Sequence, residues 1–161
     1  MKSSLFRLGR QAMSAPRALR PSDGAACAAL HRASFAHPWA ASEFEALLTD
    51  SACFGEAIEA KSRLAGFVLS RRALDEAEIL TIVVDTRLRQ RGCGQRLLAA
   101  HLSQLSALGV IKLFLEVDET NEAALALYRR LGFTQLGMRK GYYVKKDGLR
   151  ANALILGRAQ T

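Results

Sequence analysis

Acidic residues are scarce in this chain: 15 Asp and Glu stand against 23 Lys and Arg, a formal net charge of +8 over 161 residues. That balance favours acidic partners such as nucleic acid, a phosphorylated cofactor or ribosomal surroundings. Cysteine is also sparse. Cys27, Cys53 and Cys93 lie far apart, form no C-x-x-C pair and have no histidine at ligand spacing. This excludes a zinc or disulfide framework and leads us to expect reduced thiols, a cytoplasmic protein and no metal. No apolar run approaches the roughly 20 residues of a membrane-spanning helix. Aromatics make up 7% of the chain, and no aromatic-rich strand of the RNA-recognition kind is present. The leader "MKSSLFRLGRQAMSAPRALR" contains no acid, yet it lacks the continuous apolar core of a secretion signal. Residues 1–15 are expected to be a basic tail, with an organellar transit peptide as the other reading, and residues 16–161 a single domain.

What is present is a regular alternation of elements. "ALRPSDGAACAALHRASF" runs from a short strand into a helix, with Asp23 as candidate N-cap. "HPWAASEFEALLTD" gives a second helix with Ser42 as candidate cap. A hairpin follows, Phe54–Ile58 and Leu64–Ser70, turning at Ala60–Ser62. "AEILTIVVD" is a β-branched strand. Gly92–Leu108 is a helix with Leu98, Leu102 and Leu105 on one face, ended by Gly109. "VIKLFLEV" is a strand, "NEAALALYRRLGF" a helix stopped by Gly132, and the tail a hairpin turning at Lys146-Asp147-Gly148. The order β-α-α-β-β-β-α-β-α-β-β predicts an α/β fold. It has one mixed central sheet, a parallel strand–helix–strand unit in the middle and helices on both faces.

The loop "RQRGCG", Arg89 to Gly94, lies between a strong strand and a strong helix. Glycines let the backbone approach a ligand, the helix N-terminus favours an anion, and Arg87, Arg89, Arg91 and Arg96 add positive charge. The loop reads as a phosphate cradle. No Lys-Ser/Thr follows, so it is not a nucleoside-triphosphate loop. The G-x-G comes late and lacks the third glycine of a dinucleotide fold.

Downstream, "LFLEVDETNEAALALYRRLGF" carries three polar candidates. Glu116 interrupts an apolar strand, where a carboxylate is costly without a partner or a chemical role. It is either a general base or an edge carboxylate that reaches water. Asn121 opens a helix, where asparagine commonly caps. Tyr128 shares a helix face with Ala124 and Leu131 and, taken alone, reads as a core aromatic against Phe133.

With these residues in view, the chain resembles the GNAT acetyltransferases from about Ala18 to its C-terminus. "RQRGCG" fits their R/Q-x-x-G-x-G/A loop, and "ILTIVVD" looks like their fourth strand. The resemblance implies a mostly antiparallel sheet of about seven strands in which a bulge splays strand 4 from its parallel neighbour, strand 5. It implies acetyl-CoA as cosubstrate, no metal, and pantetheine paired with the backbone of Ile82, Val83 and Val84. The pyrophosphate would lie on Arg89, Gln90, Arg91, Gly92, Cys93, Gly94 and Gln95, with Cys93 only filling the variable position.

"LEV-x-x-x-N-x-x-A-x-x-L-Y-x-x-L-G-F" is similar to the signature of the bacterial ribosomal-protein-alanine N-acetyltransferases. Carried over on that motif, Glu116 is the general base, Tyr128 the general acid and Asn121 a cofactor-binding residue. "HPWAASEF" places Trp39 near the acceptor, and "MRKGYYVKKDG" places Arg139, Tyr142 and Tyr143 where the acceptor peptide is held. The implied partner is a protein or peptide N-terminus, that of a ribosomal protein. No membrane is involved, and any nucleic-acid contact is indirect. One departure stands out: "LRANAL" has Asn152 where that family usually has an acid before alanine. This leaves the acceptor preference open. Two rival readings remain: a GNAT enzyme for a small-molecule or lysine amine, and a non-catalytic CoA- or RNA-binding module.

Overall fold

The computed structural model describes residues 12–160. Residues 1–11 of the expected tail lie outside them. Within the remainder of that tail, Met13 bridges Ala60, and the Ser14 N–H donates to Glu59 O at 2.8 Å.

The elements follow the predicted order. They are β1 Arg17–Ala18, α1 Gly24–Ser34, α2 Ala41–Thr49, β2 Cys53–Ala60, β3 Arg63–Ala73, β4 Glu76–Val84, α3 Cys93–Ala107, β5 Lys112–Asp118, α4 Glu122–Arg130, β6 Thr134–Val144 and β7 Arg150–Ala159. The first hairpin is longer at both ends than predicted, and it turns on Lys61 and Ser62, both at positive φ (50° and 61°). Neither predicted cap of the first two helices is used. The Asp23 carboxylate instead accepts from the Arg20 N–H at 2.8 Å and from Arg17, closing a 3-10 turn ahead of α1. At α2 the Glu43 carboxylate reaches back to the Ala40 N–H, so Ser42 lies inside the helix. In both places a carboxylate three residues on satisfies the exposed N–H, as in the reciprocal half of a capping box.

Seven strands form one sheet in the order β1-β2-β3-β4-β5-β7-β6, antiparallel except for the β4–β5 pair. One face is covered by α1 and α2, whose Cys27, Ala28 and Phe44 meet Phe67, Leu69 and Val83. Phe44 and Phe67 pack edge to face at 5.5 Å. The other face carries α3 and α4, with Leu97, Leu98, Leu102 and Leu105 of α3 against Val68, Ile79, Leu113 and Leu115. Each such leucine contributes about 1.5–3 kcal/mol through burial. A buried polar tie also pins α3 to the sheet: His101 bridges the Glu56 carboxylate and Ser70 Oγ, the latter at 2.6 Å. Ser70 and His101 are fully buried, so this acid–histidine–serine row has no open nucleophile.

The feature that shapes the site lies at the middle of the sheet. β3 pairs Leu69 with Thr81 and Ser70 with Ile79, leaving Leu80 as an extra residue, a β-bulge. The parallel β4–β5 ladder runs only from Glu76–Ile79 against Lys112–Leu115. A bulge bends and twists its strand, so β4 leaves β5 there. β5 continues to Asp118 along β7. The splayed strand pair that the family resemblance implies is therefore present.

Candidate active site

From Leu80 onward β4 has an open edge. The Asp85 N–H donates to Ala65 O, one residue beyond the Gly66–Val84 pair. By the alternation of an antiparallel ladder, Val83 turns its N–H and C=O towards β3, while those of Ile82 and Val84 point into the opening. Ile82 and Val84 can thus pair with an extended polar chain, whereas the backbone groups of Val83, expected to do the same, are taken up by the ladder with β3. Arg89 Nε already reaches Val84 O at 3.3 Å, and Arg89 Nη2 reaches Ser34 Oγ at 3.1 Å, tying the glycine loop to α1.

That loop enters α3 through Gly92, at φ +77°, in a left-handed conformation that glycine adopts without strain. A Cβ at Gly92 would meet nothing within 4 Å, so the backbone here is open to a ligand. Gln90, Arg91, Gly92 and Gln95 are exposed beside the helix N-terminus, which suits a pyrophosphate. Arg87 is drawn to Asp85 at 2.9 Å, and Arg96 donates to Ser14 O at 3.1 Å. Cys93 is buried against the core, and burial pushes its thiol up to about 11, which excludes a nucleophilic thiolate at neutral pH.

Glu116 lies on β5 just past the point of parting. Its neighbours Leu115 and Val117 enter the α3/α4 core, so its side chain points to the α1/α2 face. The carboxylate keeps 21% of its side-chain surface and is paired with Arg139 Nε at 3.1 Å. The Arg139 guanidinium also covers the Tyr142 ring, 5.2 Å from its centroid. Tyr142 and Tyr143 pack edge to face. Burial first, and the Glu116 charge second, push the Tyr143 phenol up to about 12. Tyr128 comes from α4 on the opposite face, buried and packed on Phe133 at 5.6 Å. Burial, with a smaller contribution from Tyr143, holds its phenol well above the ordinary tyrosine value. Asn121 caps α4, its Oδ1 accepting from the Ala124 N–H at 3.2 Å.

Trp39 is half-buried in the α1–α2 connection, packs against His31 and Phe44 and belongs to the same apolar cluster as Leu80 and Val83. Its backbone N–H donates to His31 Nδ1 at 3.1 Å, and the His31 ring stacks on both Phe35 and Trp39. Asn152 acts locally, with its Oδ1 accepting from the Gly141 N–H at 2.9 Å, while Arg150 donates to Gly141 O. These bonds brace the irregular stretch between Arg139 and Tyr143. Two features escape a reading of the sequence. One is the His31 support of Trp39. The other is Thr81, whose hydroxyl is buried without a partner; the only signal for it is a polar residue inside an apolar β-branched run.

Residues 25–133 match the family described as Acetyltransferase (GNAT) family. The chain belongs to this family. Acetyl-CoA is the cosubstrate of GNAT acetyltransferases, and the open β4 edge and glycine loop fit such a group. Among curated GNAT relatives, a "[Ribosomal protein bS18]-alanine N-acetyltransferase" of Haemophilus ducreyi is 38% identical over 96 residues, covering 60% of this chain and 66% of that protein. The protein of the same description from Escherichia coli K12 is 39% identical over 94 residues, covering 58% and 63%. These alignments span just under two thirds of the relatives' own lengths. The crystal structure of the ribosomal-protein-S18-alanine N-acetyltransferase from Escherichia coli superposes with a TM-score of 0.85 at 30% identity, covering 92% of this chain and 94% of that one. Arabidopsis thaliana NAA60 in complex with acetyl-CoA, at a TM-score of 0.79 and 20% identity over 92% and 98%, shares the fold.

Proposed function

We propose that this GNAT chain transfers the acetyl group of acetyl-CoA to the N-terminal alanine of a small-subunit ribosomal protein. The observation that carries the reading is the parting of β4 from β5, with Glu116 just beyond it on β5 and Tyr128 buried on α4 at the other face of the sheet. The acceptor fits the chemistry named for the bacterial relatives. In this reading the pantetheine lies along Ile82 to Val84, the pyrophosphate on Arg89 to Gln95, and Asn121 at the cofactor's edge. Trp39, Arg139, Tyr142 and Tyr143 line the acceptor side.

An N-terminal amine has a reference pKa near ~8 and is largely protonated at neutral pH. Glu116 takes one proton, directly or through water, and passes it to solvent. The neutral nitrogen attacks the thioester carbon; a backbone N–H of the bulged β4 stabilises the oxyanion. As the N–C bond becomes the amide, the C–S bond breaks and the thiolate takes the Tyr128 proton. The second proton shed by the nitrogen returns to Tyr128. Its raised pKa keeps Tyr128 protonated at rest, as an acid must be. Alignment of the two reactants supplies much of the acceleration.

The test is CoA release with peptides bearing N-terminal Ala, Ser or Met, with lysine side chains, and with free polyamines. An alanine preference is expected, followed by one acetyl group on the ribosomal protein's N-terminus by mass spectrometry. Faster turnover of polyamines than of peptides would overturn the proposal.

A further inference from the structure

A cleft of about 330 Å³ opens on the flank of the sheet, where the short β1 pairs with Ala57 and Glu56 of β2 and leaves the start of that strand uncovered. Leu19, Leu48, Phe54 and Ala100 give it apolar walls, and Gln104 of α3 and the Glu56 carboxylate are polar points on them. Glu56 keeps 11% of its side-chain surface. Its Oε2 is taken by His101 Nδ1, while Oε1 has no hydrogen-bond partner among the described residues. One oxygen is enough to hold His101, so the second brings an unspent lone pair to the cleft. A carboxylate so enclosed is unfavourable unless both oxygens are satisfied. Arg17 also lines the cleft, but its N–H groups are committed to Asp23, Glu59 and Ala18 O. It neither turns to Glu56 nor offers a donor to an anion.

We propose that this cleft is a binding site for a small primary ammonium on a short aliphatic chain. The ammonium donates to Glu56 Oε1, and the hydrocarbon lies against Leu19, Leu48 and Phe54. A charge-assisted bond to a carboxylate is stronger than a neutral one, which favours the ammonium over an alcohol. An anion is repelled by Glu56 and finds no free donor on Arg17. The volume lies at the small end of ligand pockets, which limits the chain to a few carbons. The site is independent of the transferase reading. β3 and β4 stand between β2 and the opening at β5, so an amine held here is a ligand and not the acceptor.

The test is calorimetric titration of the full chain with butylamine, butanol and butyrate at about pH 7.5, where a primary amine is protonated. Butylamine should fill one saturable site with a Kd on the order of 0.1–10 mM, the range open to so small a ligand. Butanol and butyrate should show no saturable binding. Glu56→Gln should weaken butylamine about 10- to 100-fold, the span of one lost charge-assisted hydrogen bond. Glu56 also holds His101, so a second variant separates binding from folding. Ala100→Leu fills the cleft from α3 and leaves the carboxylate in place. It should abolish butylamine binding and leave the KM for acetyl-CoA unchanged. Butanol or butyrate binding as tightly as butylamine, undiminished butylamine binding in Ala100→Leu, or no saturable binding by the wild type in that range would overturn the inference.

Discussion

Arg139 Nε stands 3.1 Å from Glu116 Oε1, and the same guanidinium covers the Tyr142 ring. One side chain thus joins a β5 carboxylate to a β6 aromatic across β7. Glu116→Gln keeps the shape of that contact and removes the base. Steady-state CoA release should show kcat lower by about 100- to 10,000-fold with little change in the KM for acetyl-CoA. Arg139 is half-exposed, so Arg139→Ala should cost less than about 1 kcal/mol of stability by urea denaturation. A larger loss would mean that the pair serves folding.

Tyr128→Phe should lower kcat by a similar factor of about 100 to 10,000 while leaving the fold intact. Burial raises the phenol's pKa, so its acid form persists well past its ordinary pKa of about 10. Wild-type kcat should therefore show no tyrosine-dependent fall between pH 7 and 10. Such a fall, absent in Tyr128→Phe, would contradict the assignment.

Gly92→Ala places a Cβ on a residue at φ +77°. The left-handed conformation costs an L-residue about 1–2 kcal/mol. The open space around Gly92 means that the cost is strain and not a clash. The expected outcome is a lower Tm together with a raised KM for acetyl-CoA, measured by thermal melting and initial rates. Unaltered cofactor KM would separate the loop from phosphate binding.

His31 is buried, and burial pushes its imidazole down to about 4 from the ordinary 6.5. The folded protein therefore holds the neutral ring, whose Nδ1 accepts from the Trp39 backbone N–H. Because the folded pKa lies below the unfolded one, this contribution to stability is present above about pH 6.5 and is lost as pH falls towards 4. Thermal melts across that window should fall more steeply for wild type than for His31→Gln. Parallel curves would show that another group governs the acid limb.

Much of the architecture is legible locally. Gly132 ends α4, Gly92 opens α3, and the β-branched run Ile79–Val84 forms a strand, because these choices depend on neighbours a few residues away. The caps expected at Asp23 and Ser42 do not form: the Asp23 carboxylate is taken by the Arg20 N–H and the Arg17 guanidinium, and α2 starts ahead of Ser42, where Glu43 accepts from the Ala40 N–H. The bracing role of Asn152 is hidden, since its partner Gly141 lies across a hairpin in an irregular register.

By itself the sequence determined the element order, the apolar faces, the glycine loop and the motif from Glu116 to Phe133, all of which depend on short spacings along the chain. Tertiary structure decided which groups meet. It set the Leu80 bulge that parts β4 from β5, the open backbone edge of Ile82 and Val84, and the approach of Arg139 to Glu116. It also left the Thr81 hydroxyl buried without a partner. Strand register and sheet order bring these residues together from distant parts of the chain, and neither is encoded in the spacing of any one segment.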